Sequence, residues 1–311
     1  MEFIRGSHNL RARHRGCVAT IGNFDGLHLG HQVVLGQLAE KGADWRLPTT
    51  VIIFEPQPME VLNPAAAPPR LTRLREKLNA LRRFSVDRVL CLRFDDSLMR
   101  IAPAAFIRQV LVEGLGVRYL VVGEDFRFGY RRQGDFAMLV DQGGRYGFSV
   151  ARMKHFQVDG ERVSSTRIRE ALRRGDLQTA EKLLGRRYRM SGRVARGDRR
   201  GRTLGFPTAN IHLHRKATPV QGVFAVEFYG AEPEPLHGVA NVGTRPTVDG
   251  TCSLLEVHLL DYDRDLYGRH VHIDFLQKLR SEKKFTSVEQ LRAQIARDVA
   301  AARHYFEQDD P

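Results

Sequence analysis

The sequence predicts an α/β domain built on a parallel sheet, followed by an antiparallel β-barrel and a C-terminal helix. Short β-branched runs alternate with helical patterns as far as residue 185, strand-like runs joined by Gly- and Pro-containing turns follow from residue 187, and no helical pattern returns before residue 287. Strand–helix alternation is typical of a doubly wound parallel sheet, whereas consecutive strands indicate an antiparallel sheet or small barrel. The change of pattern predicts two domains, residues 1–185 and 186–311.

In the first domain, strands and helices alternate in chain order. The predicted strands are Val18–Ile21, Thr49–Phe54, Arg88–Phe94 and Tyr119–Gly123, and the predicted helices are Gln32–Lys41, Leu71–Phe84 and Pro103–Glu113. Pro103 suits a first helical turn, and Gly114 suits the end of that helix. The residues before Val18 are basic and lack the apolar core of a secretory signal, so we expect a ragged lead-in to the first strand.

The second domain is predicted to consist of a series of strands followed by one helix. The predicted strands are Arg189–Val194, Val223–Tyr229, Leu236–Val242, Ser253–Leu260 and His270–Leu276. A helix over Ser287–Tyr305 would place Val288, Leu291, Ile295 and Val299 on one face. Thr286 and Glu289 have the spacing of a capping box at its start.

Composition and charge limit the possible functions. The 311 residues are 42% hydrophobic and 27% charged, as in ordinary globular proteins, and no apolar run is long enough to predict a membrane span. Three scattered cysteines without metal-ligand spacing indicate a reducing cytoplasm rather than a disulfide frame or zinc site. The net charge of +13 favours an anionic partner, either nucleic acid or phosphorylated small molecules, although a merely basic surface would give the same number.

The stretch GNFDGLHLGH at 22–31 follows the first predicted strand, and ligands of doubly wound sheets bind at that end of the strands. Because glycine loses much backbone entropy on ordering, three glycines in ten residues indicate a close approach of backbone to something else. His28 and His31 can point the same way at a helix N-terminus, which favours an anion. Together with Gly30 they predict a pocket for nucleotide phosphates. Taken alone, the pair is better explained as two ordinary helix-start histidines.

A second segment, VSSTRIRE at 163–170, follows another predicted strand and opens a helix. Its hydroxyl and guanidinium groups belong to Ser164, Ser165, Thr166, Arg167 and Arg169. The hydroxyls suit a helix cap and a phosphate equally well. The combination of this segment with the histidine loop is a more specific signal than either segment alone. The pair resembles two segments of the nucleotidylyltransferase superfamily, in which they hold the triphosphate from opposite sides.

The second domain opens with a basic glycine-rich segment. Its glycines are Gly192, Gly197, Gly201 and Gly205, and their backbone amides could wrap a polyphosphate or simply form a flexible basic loop. In extended backbone, Thr208 and Asn210 would face the same side, as a shared Mg²⁺ contact requires. Glu256, in the middle of an otherwise apolar strand, is either a solvent-facing carboxylate or a base that accepts a proton from an attacking hydroxyl.

The order of these motifs resembles the bifunctional bacterial riboflavin kinase/FAD synthetase family over residues 15–306. The shared motifs are GNFDGLHLGH, FEPQP, GEDFRFG, VSSTRIRE, GRTLGFPTAN, GVFAVEF, NVGTRPTVDG, LLEVHLLDYDRDLYG and LRSEKKF. The resemblance implies a Rossmann-like nucleotidylyltransferase domain and a riboflavin kinase-like barrel. It implies ATP-dependent phosphorylation of riboflavin to FMN by the second domain, and adenylylation of FMN to FAD plus pyrophosphate by the first.

The resemblance also implies the residues of each site. In the adenylyltransferase site, ATP contacts fall on Gly22, Asn23, Phe24, Asp25, Gly26, His28, Gly30, His31, Ser164, Thr166 and Arg167, with His28, His31 and Arg167 in catalytic roles. Flavin contacts fall on Asn23, Asp125, Arg280, Glu282 and Phe285. In the kinase site, ATP contacts fall on Gly192, Gly197, Gly201, Gly205, Thr208 and Asn210; Thr208 and Asn210 hold Mg²⁺, and Glu256 is the general base.

One departure from the family pattern lies in FEPQP, where many members have His and this chain has Gln57. Glutamine keeps hydrogen-bonding ability but loses the positive charge that histidine can carry. If that histidine orders the adenylyltransferase site, this activity is weaker here. The phosphate-holding residues are unchanged, so both activities are expected.

Two other readings stay open at this stage. The first is a riboflavin kinase joined to a degenerate, binding-only N-terminal module. The second is a nucleic-acid-binding protein, which the charge suggests but which leaves GFPTAN unexplained. We expect a cytoplasmic monomer or weak homo-oligomer whose partners are riboflavin, FMN and ATP, not nucleic acid or membrane.

Overall fold

A computed structural model describes residues 1–196, 204–215, 217–247 and 250–309 of the chain. The predicted phosphate-loop residues Gly197 and Gly201 lie outside these described residues.

The chain divides into two compact units. One consists of Met1–Pro68 and Thr72–Ser164, and the other of Pro69–Leu71 and Ser165–Pro311. The predicted division between residues 185 and 186 follows the change of secondary structure rather than this packing, and it stays a prediction.

The first unit is built on a parallel sheet with strand order β1-β4-β3-β2-β5-β6. Its strands are β1 Glu2–Arg5, β2 Cys17–Ile21, β3 Thr49–Glu55, β4 Arg88–Arg93, β5 Val117–Gly123 and β6 Ser149–Met153. Its helices are α1 Leu29–Trp45, α2 Pro58–Leu62, α3 Leu74–Leu81, α4 Asp96–Met99, α5 Pro103–Phe106 and α6 Phe136–Tyr146. The predicted strand–helix alternation is confirmed.

Both faces of this sheet are buried, which explains the continuous apolar strands. Along β2, Ala19 and Ile21 pack into one hydrophobic cluster and Val18 into another on the opposite face. All five residues of β2 are buried. A strand with helices on both faces needs apolar side chains at successive positions, and this pattern is what made β2 and β3 predictable from sequence.

The expectation of a ragged lead-in before the first strand is wrong. Residues Glu2–Arg5 form β1, which pairs in parallel with Arg88–Cys91 of β4 and extends the sheet by one strand. The strand has only four residues, of which two are charged, as suits an edge position, so it carries little of the apolar signal on which the prediction relied.

Two further predictions in this unit differ in detail. The predicted helix Pro103–Glu113 begins as α5 and continues as a π-helical segment, Ile107–Gly114. The strand expected before VSSTRIRE is half of a small hairpin, β7 Gln157–Val158 with β8 Glu161–Arg162, which is separate from the parallel sheet.

In the second unit, antiparallel strands close into a barrel with the order β10-β13-β12-β11-β14-β9 within the described residues. The elements are α7 Ser165–Arg174, α8 Leu177–Leu184, β9 Tyr188–Ala195, β10 Ala209–His212, β11 Gly222–Tyr229, β12 Leu236–Thr247, β13 Gly250–Leu259, β14 His270–Arg280 and α9 Val288–Asp309. The predicted barrel and C-terminal helix are confirmed. The sequence did not predict β10, a four-residue strand that begins two positions after Pro207.

Helix α9 packs on the outer face of the barrel. Its Ala302 is buried against Val223 and Ala225 of β11. The predicted capping box is wrong by one residue, because Ser287 accepts a hydrogen bond from the Gln290 backbone N–H at 3.2 Å. Val288, expected on the buried face, is 61% exposed.

Candidate active sites

The first candidate site lies where β2 ends and α1 begins, and it is built around two stacked histidine rings. The His28 and His31 rings are 3.6 Å apart between centroids and inclined by 16°. His28 is the N-cap of α1, and its Nδ1 accepts a hydrogen bond from the His31 backbone N–H at 3.3 Å. The capping geometry therefore fixes both rings on the same side of the helix start, as their spacing predicted, where the helix dipole favours an anion.

His31 is held in its neutral form. Burial first, and then the charges of His28 and Lys77, lower the pKa of His31 well below its ordinary value. Its Nδ1 is buried without a hydrogen-bond partner among the described residues. The neutral ring can therefore present Nε2 to a ligand as a donor or an acceptor, depending on its tautomer.

The loop before these histidines is fixed by buried side chains. Phe24 and Leu27 both have positive φ angles, 47° and 44°, and both side chains lie in the hydrophobic core. Asp25, only 2% exposed, accepts hydrogen bonds at Oδ1 from the Thr72 backbone N–H at 2.9 Å and the Thr72 hydroxyl at 3.1 Å. The Gly26 N–H donates to the same hydroxyl at 3.0 Å. Because the Phe24 and Asp25 side chains point inward, the loop offers a ligand mainly its backbone.

We expect Thr72→Val to destabilise the first unit by about 2 kcal/mol, because the buried Gly26 N–H loses its acceptor and Asp25 loses a donor. Urea unfolding, monitored by a spectroscopic signal that arises in the first unit, measures the loss of unfolding free energy. Thr72→Ser, which keeps the hydroxyl, is the matched control and should stay close to wild type. A Thr72→Val protein as stable as the wild type would contradict the prediction, because valine keeps the methyl group of threonine and lacks only the hydroxyl.

Two other predicted site residues of this unit, Asn23 and Asp125, and the departure from the family pattern at Gln57 occupy different environments. Asn23 is exposed in the loop. Asp125 follows β5 and bonds the Arg162 guanidinium at 2.5 Å, and this hydrogen bond is the main reason that its pKa is lowered. The His155 ring also contacts Asp125, at 3.2 Å. Gln57 is the N-cap residue of α2, 6% exposed, and its side-chain Nε2 has no hydrogen-bond partner among the described residues.

The predicted phosphate-binding hydroxyls lie at the start of α7. Ser164 directly precedes the helix, and Thr166 is exposed in its first turn. Arg167 is half-buried, while Arg169 donates from Nε to the Pro69 carbonyl at 2.7 Å. The helix start is therefore as predicted, and Arg169 is engaged in anchoring the segment at Pro69.

The second candidate site lies on the barrel, where the strand register brings separate motifs together. Asn210 of β10 lies directly opposite Glu256 of β13, and Asn241 of β12 lies opposite Glu256 on its other side. Directly opposed residues of an antiparallel pair share a face and lie about 5 Å apart. Glu256 is half-buried, and its neighbours Leu255 and Val257 are fully buried, so the carboxylate faces away from the barrel interior.

Thr208 is placed by a contact that the sequence did not reveal. The His258 ring bonds through Nδ1 to the Pro207 carbonyl at 2.8 Å and meets the Phe206 ring edge-on. Thr208 and Pro207 line a cavity of about 590 Å³ beside the loop after β13, with Tyr262 and Tyr267 among the other lining residues. The segment 207–210 therefore has one end at this cavity and the other end opposite Glu256.

Two of the predicted phosphate-binding glycines are described, and they differ. Gly192 lies within β9, where a Cβ would clash with Ile211 and the His212 carbonyl. Tight strand packing therefore accounts for this glycine. Gly205 has a φ of 86°, which favours glycine, and open space around its Cβ position, and its phosphate contact stays a prediction.

Of the three remaining predicted flavin residues, Arg280 ends β14, and Glu282 and Phe285 lie between β14 and α9. The Arg280 guanidinium bonds the buried Asp298 carboxylate, with Nη2 at 2.7 Å from Oδ2, and its Cζ lies 5.9 Å from the Phe285 ring centre. Glu282 is exposed, and its carboxylate occupies the space that a side chain at Gly243 would fill. Arg280 is thus engaged with α9 through Asp298.

The sequence reasoning missed four residues that shape these sites: Thr72, Asn241, His258 and Asp298. A signal was present for two of them. His258 lies two positions after Glu256 in the same strand and so shares its face, and Asp298 follows Gln294 by one helical turn and accepts its amide hydrogen bond at 2.9 Å. Nothing local marks Thr72, which acts on a loop 47 residues earlier in the chain.

Within the described residues, no helix is both long and apolar enough to cross a membrane. The same residues contain no group of three or more His, Cys, Asp or Glu side chains arranged to hold a metal ion.

Comparison with known proteins assigns both halves. The FAD synthetase family model matches residues 10–167, and the riboflavin kinase family model matches residues 184–306. A crystallised Streptococcus pneumoniae protein, described as a macrolide-efflux protein, has a similar structure with a TM-score of 0.80 and 28% identity, covering 97% of this chain and 99% of its own.

Curated relatives match along nearly the full length. The Escherichia coli K12 bifunctional riboflavin kinase/FMN adenylyltransferase is 52% identical, covering 98% of each chain. The Haemophilus influenzae protein of the same name is 48% identical, covering 98% of this chain and 99% of its own. The Pseudomonas fluorescens protein, also of this name, is 49% identical and covers 97% of each. The chain therefore belongs to the bifunctional riboflavin kinase/FMN adenylyltransferase family.

Proposed function

We propose that this chain makes FAD from riboflavin in two ATP-dependent steps, each at its own site. The barrel phosphorylates riboflavin to FMN, and the parallel-sheet unit adenylylates FMN. The register of Asn210 with Glu256 carries the kinase assignment, because it supports a shared site for an oxygen donor suited to Mg²⁺ and a carboxylate suited to a base. Names of relatives sharing about half of the residues support the same pair of reactions.

In the kinase step, the ribityl 5′-hydroxyl oxygen attacks the γ-phosphorus of ATP. The hydroxyl proton passes to the Glu256 carboxylate, and the bond from the γ-phosphorus to ADP breaks. The Thr208 hydroxyl and the Asn210 amide oxygen are hard donors that would hold Mg²⁺, which neutralises phosphate charge when bound. The cavity beside Thr208 would receive the rest of the nucleotide.

In the adenylyl step, a phosphate oxygen of FMN attacks the α-phosphorus of ATP, and the bond to pyrophosphate breaks. FMN is already an anion, so the protein supplies position and charge stabilisation rather than a base. His28 and His31 at the start of α1, the backbone of Gly22 and Gly30, and the start of α7 are the groups proposed to contact the triphosphate. The predicted contact at Gly26 is not part of the proposal, because its buried N–H donates to the Thr72 hydroxyl. Asn23 and Asp125 are proposed to lie on the flavin side.

The proposal extends to metal, location and assembly. Mg²⁺ is the expected ion because both proposed ligands are oxygen donors. The free, buried thiols of Cys17 and Cys91 support a cytoplasmic location. We expect a monomer or weak homo-oligomer that binds neither nucleic acid nor membrane.

The decisive measurement is a time course of the pure chain with riboflavin, ATP and Mg²⁺, with the flavins separated by chromatography. We expect FMN to rise first and FAD to follow, and both to be absent when EDTA is added in excess. A parallel reaction started from FMN tests the adenylyl step alone. FMN without FAD would favour the reading in which the first unit only binds nucleotide, and neither product would exclude the proposed function.

A further inference from the structure

One row of residues crosses neighbouring barrel strands. Arg280 lies opposite Val223, Val223 opposite Asn241, Asn241 opposite Glu256, and Glu256 opposite Asn210. Neighbouring strands are about 4.8 Å apart, and directly opposed side chains share a face. Within this row, the proposed base Glu256 therefore lies between two carboxamides, those of Asn210 and Asn241.

The end of this row near the C-terminal helix is closed by packing. Val223 is only 3% exposed and lies in the hydrophobic cluster formed with Ala302 of α9, and Arg280 is engaged with Asp298. Asn210, Glu256 and Asn241 are all half-buried, and they form the part of the row that a ligand can reach.

Asn241 has the properties of a ligand-binding side chain. Its carboxamide makes no hydrogen bond to another described residue, although the side chain is half-buried. Gly243 lies two positions further along the same strand and face, and the Glu282 carboxylate fills the space above it. Asn241 thus has one carboxylate beside it on β13 and another close by along its own strand.

We propose that Asn241 is a substrate-positioning residue of the kinase site, and that its carboxamide hydrogen-bonds the 4′-hydroxyl of the ribityl chain. The inference rests on the proposed role of Glu256. With Asn210 on the phosphate side and Glu256 taking the 5′-hydroxyl proton, the rest of the acceptor must extend away from ATP, toward Asn241. The 4′-hydroxyl adjoins the reacting one, and a carboxamide can both donate to it and accept from it.

The test compares riboflavin with 4′-deoxyriboflavin as acceptors for the wild-type chain, Asn241→Val and Asn241→Thr. Valine and threonine have nearly the same shape and both suit a strand, but only threonine keeps a hydrogen-bonding group. We expect Asn241→Val to lower kcat/KM for riboflavin about tenfold, as for one lost hydrogen bond, and Asn241→Thr to recover part of it. With 4′-deoxyriboflavin, all three proteins should agree within about twofold, because the partner group is absent.

A loss in Asn241→Val that is equal for both acceptors would overturn the inference, since structural damage does not depend on the 4′-hydroxyl. So would an Asn241→Val variant that phosphorylates riboflavin at the wild-type rate. FMN adenylylation by the same preparations reports folding and should be unchanged. The proposed function fails separately, and the inference with it, if the wild-type chain makes no FMN or if Glu256→Gln phosphorylates riboflavin normally.

Discussion

Glu256→Gln should lower kcat for riboflavin phosphorylation by about 10³-fold, within the range seen when a general base is removed. Glutamine has nearly the same shape and still forms hydrogen bonds, but it cannot take the proton of the 5′-hydroxyl at neutral pH. The half-buried position of Glu256 between Asn210 and Asn241 should tolerate the exchange. The initial rate of FMN formation from riboflavin, at saturating ATP and Mg²⁺, measures the loss.

Two comparisons make this result specific. FAD formation from supplied FMN should remain within about twofold of wild type, because Glu256 lies in the second unit and the histidine site in the first. Glu234→Gln makes the same charge change at an exposed position of the second unit and should leave both activities intact. A Glu256→Gln enzyme with an undiminished kinase rate would remove Glu256 from the chemistry.

His31→Ala should reduce FAD formation from FMN by at least about 10²-fold, the usual cost of removing one group aimed at developing charge. The ring lies 3.6 Å from His28 and 4.9 Å from Phe24 between centroids, so its position is set by packing as well as by the helix start. Riboflavin phosphorylation by the same variant should be retained. The two initial rates, each started from its own flavin, measure the separation.

A second variant separates the role of the His28 imidazole from its role as N-cap of α1. His28→Asn keeps a strongly preferred N-cap residue and removes the ring, so α1 should begin normally while FAD formation falls.

Because the pKa of His31 lies well below 6.5, its charge does not change as the pH falls to that value. The wild-type FAD rate should therefore have no acid limb from His31 near pH 6.5. Equal loss of both activities in His31→Ala would contradict the division of labour.

The sequence predicted elements whose signal is local. β2 is buried at every position and has a nearly unbroken apolar sequence, while β1 has four residues, two of them charged, and carries no such run. β10 was missed for a related reason: it has four residues and begins two positions after Pro207, in a segment rich in turn formers. These strands are held in place mainly by pairing with distant partners, and a single sequence does not show that pairing.

The residues of the candidate sites likewise divide into those that a local pattern marks and those that only contacts distant in the chain reveal. Asn210 and Glu256 were both predicted as functional residues, but their direct opposition depends on the register of two strands that are far apart in the chain. Asn241 opens the shared motif NVGTRPTVDG, but only that register shows its position beside Glu256. Thr72 fixes the glycine loop from outside it, through Asp25, and leaves no pattern of its own.

The pairing of β12 with β13 also limits how this half of the enzyme can change in length. Side chains alternate between the two faces of a strand, so inserting or deleting one residue within β13 would bring Leu255 or Val257 to the outer face and send Glu256 inward. Length variants that arise in this hairpin should survive only when the change leaves its paired strands untouched or is an even number of residues. Length differences within the paired strands should therefore be even numbers of residues, both among homologues and among functional variants from laboratory libraries.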